Sequence, residues 1–257
     1  MKKILITICV CAMGLSTHAQ ITQLPDNFTS GKIVWMVRAG TNYNSVTGSA
    51  IDDQKEVWNK NKLDGSFKRV FGPTLSVGLN KSIGHSPLYW GMELGAGMRG
   101  YKTEAIKNGS ASVPSAGNWK SSGTITDKTT LYAFNAQLIP IMVGYKYLIN
   151  DNIAIDVHVG GFGSYDFWGE LKSEHSSRIY ITSDHGNSNQ SKDESNSINI
   201  GDLEKYRNYD FGVVAGAGIW YGHFNIDFQW QRGFISIFGN NSDMFCNSLQ
   251  LRLGYAF

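Results

Sequence analysis

From Phe224 to Gln231 apolar and polar side chains change places at every residue. Phe224, Ile226, Phe228 and Trp230 alternate with Asn225, Asp227, Gln229 and Gln231. A period of two marks a β-strand with unlike faces, because successive side chains of an extended chain leave on opposite sides. The last residues repeat it: Leu249, Leu251, Leu253, Tyr255 and Phe257 share one face, and Ser248, Gln250, Arg252, Gly254 and Ala256 the other. Six more stretches predict strands: Lys32–Gly40, Gly72–Lys81, Leu88 to about Tyr101, Thr130–Ile149, a run from Ile153 through Gly160, and Tyr206–Tyr221. In the third, Trp90, Met92, Leu94, Ala96 and Met98 oppose Gly91, Glu93, Gly95, Gly97 and Arg99. The fourth has an ambiguous phase. Asn135 and Gln137 argue for an inner face there, while Pro140, which cannot donate to a ladder, predicts a bulge.

The connections carry a rhythm. Long polar segments at 43–69, 102–128 and 169–205 alternate with short turns at Ser82–Pro87, Asn150–Asn152 and Gly222-His223, and a medium loop spans Gly233–Asp243. Eight strands joined alternately by long loops and short turns predict an all-β fold: an eight-stranded antiparallel up-and-down transmembrane β-barrel with long extracellular loops. The even count returns both termini to the periplasmic side. The long segments read as loops, with a short helix near Asp53–Lys60 in the first. Ser183–Ser197, almost entirely Ser, Asn, Asp, Lys and Gln, reads as mobile.

Composition sharpens this picture in three places. Lys2 and Lys3, the apolar run Ile4–Leu15 and the small residues to Ala19 predict a secretory signal peptide over residues 1–19, leaving 20–257 as the barrel domain. Cys11 lies too early in the apolar run for a good lipoprotein cleavage site. Setting the leader aside removes Lys2 and Lys3 from 23 basic residues and none of the 21 acidic ones, so the remainder is formally neutral and no nucleic-acid partner is expected. Cys246 is then the single cysteine, which excludes an internal disulfide. The 29 glycines fall largely inside apolar segments, where a crowded, curved barrel interior gives them a use.

Three stretches carry a family resemblance: Gln137-Leu138-Ile139-Pro140-Ile141-Met142-Val143-Gly144-Tyr145-Lys146-Tyr147, Asp210-Phe211-Gly212-Val213-Val214-Ala215-Gly216-Ala217-Gly218, and Leu253-Gly254-Tyr255-Ala256-Phe257. With these the chain resembles the PorT-like outer-membrane β-barrel domain family of Gram-negative bacteria. The resemblance implies the barrel and an outer-membrane location, and no reaction; a few members support protein secretion. The terminal Phe257 likewise resembles the signal read by the outer-membrane assembly machinery, which is the partner expected besides outer-membrane lipid.

The candidate site follows from the predicted inner faces. Arg38, Glu93, Arg99, Asp156, His158, Asp210, Asp227 and Arg252 all fall there. A charge facing lipid near the midplane costs about 2–4 kcal/mol, so these residues belong in the lumen. They compose either a salt-bridged plug or a narrow ion or proton path. Three arginines against four carboxylates nearly neutralise one another, which favours the plug. Catalysis is not expected. His175, His185 and Asp184 with Ser176, Ser177 and Ser183 offer parts of a hydrolytic constellation without a G-x-S-x-G motif. His175, His185, Asp193 and Glu194 lack a recognised metal-ligand spacing. Neither a metal nor a cofactor is expected. The reading is a structural or interaction barrel whose loops, with Trp58, Trp119 and Tyr180 as anchors, present a binding surface to a protein partner. The alternative is a transport or secretion accessory.

Overall fold

A computed structural model describes Leu24, Phe28 and residues 31–113, 119–183, 186–239 and 243–257. The expected leader, 1–19, lies outside the described residues.

Among the described residues ten strands form one antiparallel sheet: β1 (Ile33–Thr47), β2 (Asp64–Lys68), β3 (Val70–Ser82), β4 (Leu88–Val113), β5 (Trp119–Leu148), β6 (Ile153–Ser183), β7 (Gly186–Asn199), β8 (Tyr209–Tyr221), β9 (Phe224–Gly233) and β10 (Phe245–Ala256). Eight of them close a ring in the order β1-β3-β4-β5-β6-β8-β9-β10, and β10 returns to β1 from Met36↔Ala256 to Thr47↔Phe245. Closure matters because an open edge would leave unpaired backbone N–H and C=O groups in hydrocarbon. No helix among the described residues is long and apolar enough to cross a membrane.

The ring is inside-out relative to a water-soluble fold. Leu75, Phe228 and Leu251 are each half-exposed on its outer face, whereas Glu93 and Asp227 are buried at 5% and 0%. The short turns lie where the sequence predicts them. Asn150 Oδ1 accepts from the backbone N–H of Asn152 and of Ile153, and Gly222 supplies a left-handed φ of 57° in the β8–β9 turn.

The ambiguous fourth strand has a concrete cause. In β5, Leu131, Ala133, Asn135 and Ile139 point inward, Pro140 and Ile141 both point outward, and Met142, Gly144 and Lys146 point inward. The registers with β4 and β6 slip at that place, so a bulge at Pro140 reverses the phase. A second slip between Phe134 and Asn135 leaves Phe167 and Trp168 of β6 both exposed.

The long connections depart from expectation. Segment 43–69 holds the end of β1, a helix α1 (Ser49–Lys60) that starts earlier than predicted, and β2. Segments 102–128 and 169–205 are not loops: β4, β5 and β6 run on for 26, 30 and 31 residues, and β7 pairs with β6 from Glu170↔Asn199 to Ser183↔Gly186. Roughly 10 tilted residues cross a bilayer, so most of each long strand stands outside it. The projecting parts form a five-stranded sheet, β2-β4-β5-β6-β7. Alternation is lost in these parts because water wets both faces, and cross-strand pairing alone holds the extended chain. The stretch Ser183–Ser197, read as mobile, is therefore largely β7. A short 3-10 turn, Ile200–Asp202, brings the chain back to the mouth.

Placing a charge on the lipid face tests the orientation. Leu251→Arg is expected to lower the unfolding free energy in lipid vesicles by about 2–4 kcal/mol, measured by equilibrium denaturation; a water-exposed position would tolerate it.

Candidate functional site

All eight predicted lumen residues lie inside the ring, and the structure sorts them into two ionic layers held between apolar ones. The lower layer is built on Glu93, contributed by β4. Its Oε2 accepts from Arg38 Nη1 at 2.6 Å and its Oε1 from Arg252 Nη1. Arg252 also donates Nε and Nη2 to Asp227 Oδ2 at 3.0 and 2.6 Å, and Arg38 Nε reaches Asn225 Oδ1 at 3.2 Å. Beside them, Asp156 accepts from Tyr89 OH at 2.8 Å and Trp220 Nε1 at 2.7 Å, and its Oδ2 lies 3.0 Å from His158 Nδ1. His158 Nε2 is 3.7 Å from Asp227 Oδ1, too far for a direct hydrogen bond.

The upper layer joins three strands. Arg99 donates Nε and Nη2 to Asp166 Oδ2 at 3.0 and 2.7 Å, and Nη1 to Asp210 Oδ2 at 3.0 Å; Tyr206 OH also donates to Asp166. Asp166 and Lys146 also belong to these layers. Lys146 escapes the alternation because it follows the bulge at Pro140, where the phase of β5 reverses; Asp166 keeps the phase of Asp156 and His158 but lies beyond Gly160, the end of the predicted run. Lys146 Nζ donates to Asn80 Oδ1 and to the Phe28 carbonyl, both at 2.9 Å, and stands 4.0 Å from the Phe28 ring centre.

Apolar side chains cluster toward both ends. At the turn side Phe28, Val34, Met36, Ala154, Trp220 and Ala256 form a floor, with Phe28 edge-on to Trp220 at 5.0 Å. Tyr89, Ile139, Met142, Phe162 and Val214 fill the middle. At the projecting side Val46, Ile51, Tyr101, Leu131, Ile200 and Ile237 form a cap. The cavity beside Arg99, lined by Asn42, Asn135, Gln231 and Gln250, measures about 30 Å³, enough for about two waters.

Glycines make this filling fit. A Cβ on Gly216 would strike the His158 ring, one on Gly218 the Asp156 carboxylate, one on Gly233 the Asp210 carboxylate, and one on Gly144 the Tyr89 ring. Bulky ionic side chains on one strand thus face bare backbone on the next. Guanidinium groups suit such a place, since a planar fork satisfies two carboxylates at once and keeps its charge.

The surface constellations assemble less. His175 Nδ1 lies 2.5 Å from Asp127 Oδ1 across β5 and β6, with both side chains about half-exposed. Ser176, next in the strand, points to the opposite face and donates to Asp193 Oδ1 at 2.6 Å. His175 and Ser176 therefore do not form a nucleophile–base pair. Asp184 and His185 lie outside the described residues. Asp193 and Glu194 likewise leave β7 on opposite faces, and no metal-holding group of three or more His, Cys, Asp or Glu occurs among the described residues. Of the expected anchors, Trp58 is buried against β2, with its ring 5.3 Å from Phe67, while Tyr180 is half-exposed.

A closed eight-stranded ring with a lipid-facing apolar exterior and an ionic interior defines an integral barrel of the outer-membrane class. The chain belongs to the outer membrane protein beta-barrel domain family, whose model matches residues 19–239. Among solved structures it is similar to Ail, the attachment invasion locus protein of Yersinia pestis, at 13% identity and a TM-score of 0.30, over 88% of this chain and 99% of that one. It is also similar to Neisserial surface protein A (10%, 0.31, covering 87% and 97%) and to OprG of Pseudomonas aeruginosa (8%, 0.24, covering 90% and 99%). No curated protein matches the chain.

Removing one member of the lower layer tests its energetics. Glu93→Ala leaves Arg38 and Arg252 buried against each other, and an expected loss of about 3–5 kcal/mol should appear in denaturant unfolding of the refolded barrel. The exposed Glu204→Ala should change stability by no more than about 0.5 kcal/mol.

Proposed function

We propose that this barrel is a closed membrane anchor that holds a rigid sheet outside the cell as a binding surface, and that it carries no catalysis. The observation that supports it is continuity. β4, β5 and β6 pass without a break from the membrane-spanning ring into the projecting sheet, and apolar side chains around Tyr101 and Leu131 pack together beneath that sheet. In this reading Arg38, Glu93, Arg99, Asp156, His158, Asp210, Asp227 and Arg252 are the stiffening of the plug. They cross-link strands that are distant in sequence, so the sheet inherits the rigidity of the barrel. A partner protein would dock on the β6–β7 hairpin, where β7 is exposed along its whole length.

The runner-up, a small-solute channel or secretion accessory, needs an open lumen or a docking face of its own. The floor around Phe28 and Trp220 and the cap around Tyr101 and Leu131 weigh against a channel. The finer kinship with PorT-like barrels is also our proposal, resting on residues 137–147, 210–218 and 253–257. So are cleavage after Ala19 and recognition of the terminal strand by the assembly machinery. Phe257 suits that recognition, being half-exposed beside Tyr255 with its N–H on the Trp35 carbonyl.

Three measurements check these points. Planar bilayer recordings of the purified barrel should show no steady single-channel conductance; reproducible steps would reverse the order of the two readings. Removal of 173–196 should abolish capture of surface partners while heat-modifiable gel migration, a sign of a folded barrel, persists. Amino-terminal sequencing of the membrane-extracted protein should begin at Gln20.

A further inference from the structure

The outward face of the projecting sheet continues the lipid face of the barrel, and its chemistry changes in a fixed order with height. Lowest stand Tyr132, Phe134 and Trp168, with ring centres 5.3–6.0 Å apart across β5 and β6, at the level of an interfacial aromatic girdle. Two residues further along, about 7 Å higher at strand rise, one row of the sheet reads Lys68, Lys102, Thr130, Lys172, Ser197 from β2 to β7. These residues share the outward face because their neighbours Phe67, Tyr101, Leu131 and Leu171 pack inward on the cap. Lys68 and Lys102 are directly opposed, an unfavourable pairing for like charges. Lys102 makes no ion pair among the described residues, while Lys68 turns to Glu104, and Lys172 lies 2.7 Å from Glu174 with Glu170, which accepts from Tyr132, in the row below. The lysine hydrogen bonds hold the carboxyls of Glu104 and Glu174 below their usual range. Above the row lies a polar trough with Thr124, Thr126, Lys128, Ser176, Arg178 and Tyr180 among its lining residues.

Apolar strand, aromatic ring, cationic row and hydroxyl-rich trough match, level by level, the acyl chains, interface, phosphates and sugars of one kind of molecule. We infer that the outward face of β2, β4, β5 and β6 binds a phosphorylated glycolipid of the outer leaflet, with its phosphates on Lys68, Lys102 and Lys172 and its saccharide in the trough above. A phosphate between Lys68 and Lys102 turns an opposed pair of like charges into a shared anion site. The lipid occupant is favoured over a soluble anion because the row stands directly on the aromatic girdle, at headgroup height. Glu104 and Glu174, one row up, restrain the lysines without neutralising Lys102.

The test uses the intact refolded barrel in detergent and native mass spectrometry. Three probes are compared: a bisphosphorylated hexa-acyl glucosamine disaccharide lipid, the same lipid after phosphatase treatment, and inositol hexakisphosphate as a soluble polyphosphate. The bisphosphorylated lipid should bind at least tenfold more tightly than its dephosphorylated form. Lys102→Ala and Lys172→Ala should each weaken it about fivefold, and Lys192→Ala on β7 should leave it unchanged. Retained heat-modifiable migration certifies that each variant is folded; Lys102→Arg, which keeps the charge, should bind as wild type. Equal binding of both lipids, or no loss in the double variant Lys102→Ala/Lys172→Ala, overturns the inference. Binding of the soluble polyphosphate as tight as that of the lipid overturns the assignment to a membrane occupant.

Discussion

The structure depends on the inversion of solvent across one sheet. Outside the ring is hydrocarbon, which accepts Leu251, Phe228 and Val157 and rejects charge; inside is a narrow space that must be filled by what remains. Buried ions are stable there only if each is met by a partner, since no water stands ready to solvate an orphan. The two-handed contacts of Arg252, which bridges Glu93 and Asp227, and of Arg99, which bridges Asp166 and Asp210, answer that demand. They also tie strands that are far apart along the chain. Arg252 to Glu93 spans 159 residues of sequence.

Filling sets what the barrel can do. A ring of eight strands leaves room for side chains and little else, and here glycine on one strand makes way for the ionic group of the next. Between an aromatic floor and an apolar cap the interior is a core in its own right, with ion pairs where a soluble protein would have leucines. Rigidity is then available above the membrane. β5 and β6 share one unbroken ladder from the lower turn to the upper tip, apart from the slips near Pro140 and Phe167. The projecting sheet is a continuation of the wall.

That continuity also explains how two surfaces of different chemistry arise from the same strands. The inward face of the sheet closes over the mouth with α1, Phe67 and Tyr101, and Trp58 is spent on this packing. The outward face stays wet, with Lys68, Lys102 and Lys172 in one row and Glu104, Glu170 and Glu174 beside them. Pairing register decides this division, because a shift of one residue would exchange the two faces.

Much of this was legible in the chain itself. Period-two alternation between Phe224 and Gln231, or between Leu249 and Phe257, is enough to assign strand, face and lipid contact, because each residue's environment repeats every second position. The rhythm of short and long connections gives topology for the same reason: membranes allow tight turns on one side and growth on the other. Alternation also carried eight inward residues, Arg38 to Arg252, into the lumen. It could not carry Lys146, since the bulge at Pro140 reverses the phase before it; Asp166 keeps the phase of Asp156 and His158, but past Gly160 the contrast fades, with Phe162 inside and Gly161 and Gly163 outside. Nor could it find β7 or the outer halves of β4, β5 and β6, where both faces meet water and polar residues alternate with polar residues. Those strands exist because a neighbouring strand is already in place to pair with them, and pairing across tens of residues is a property of the assembled sheet.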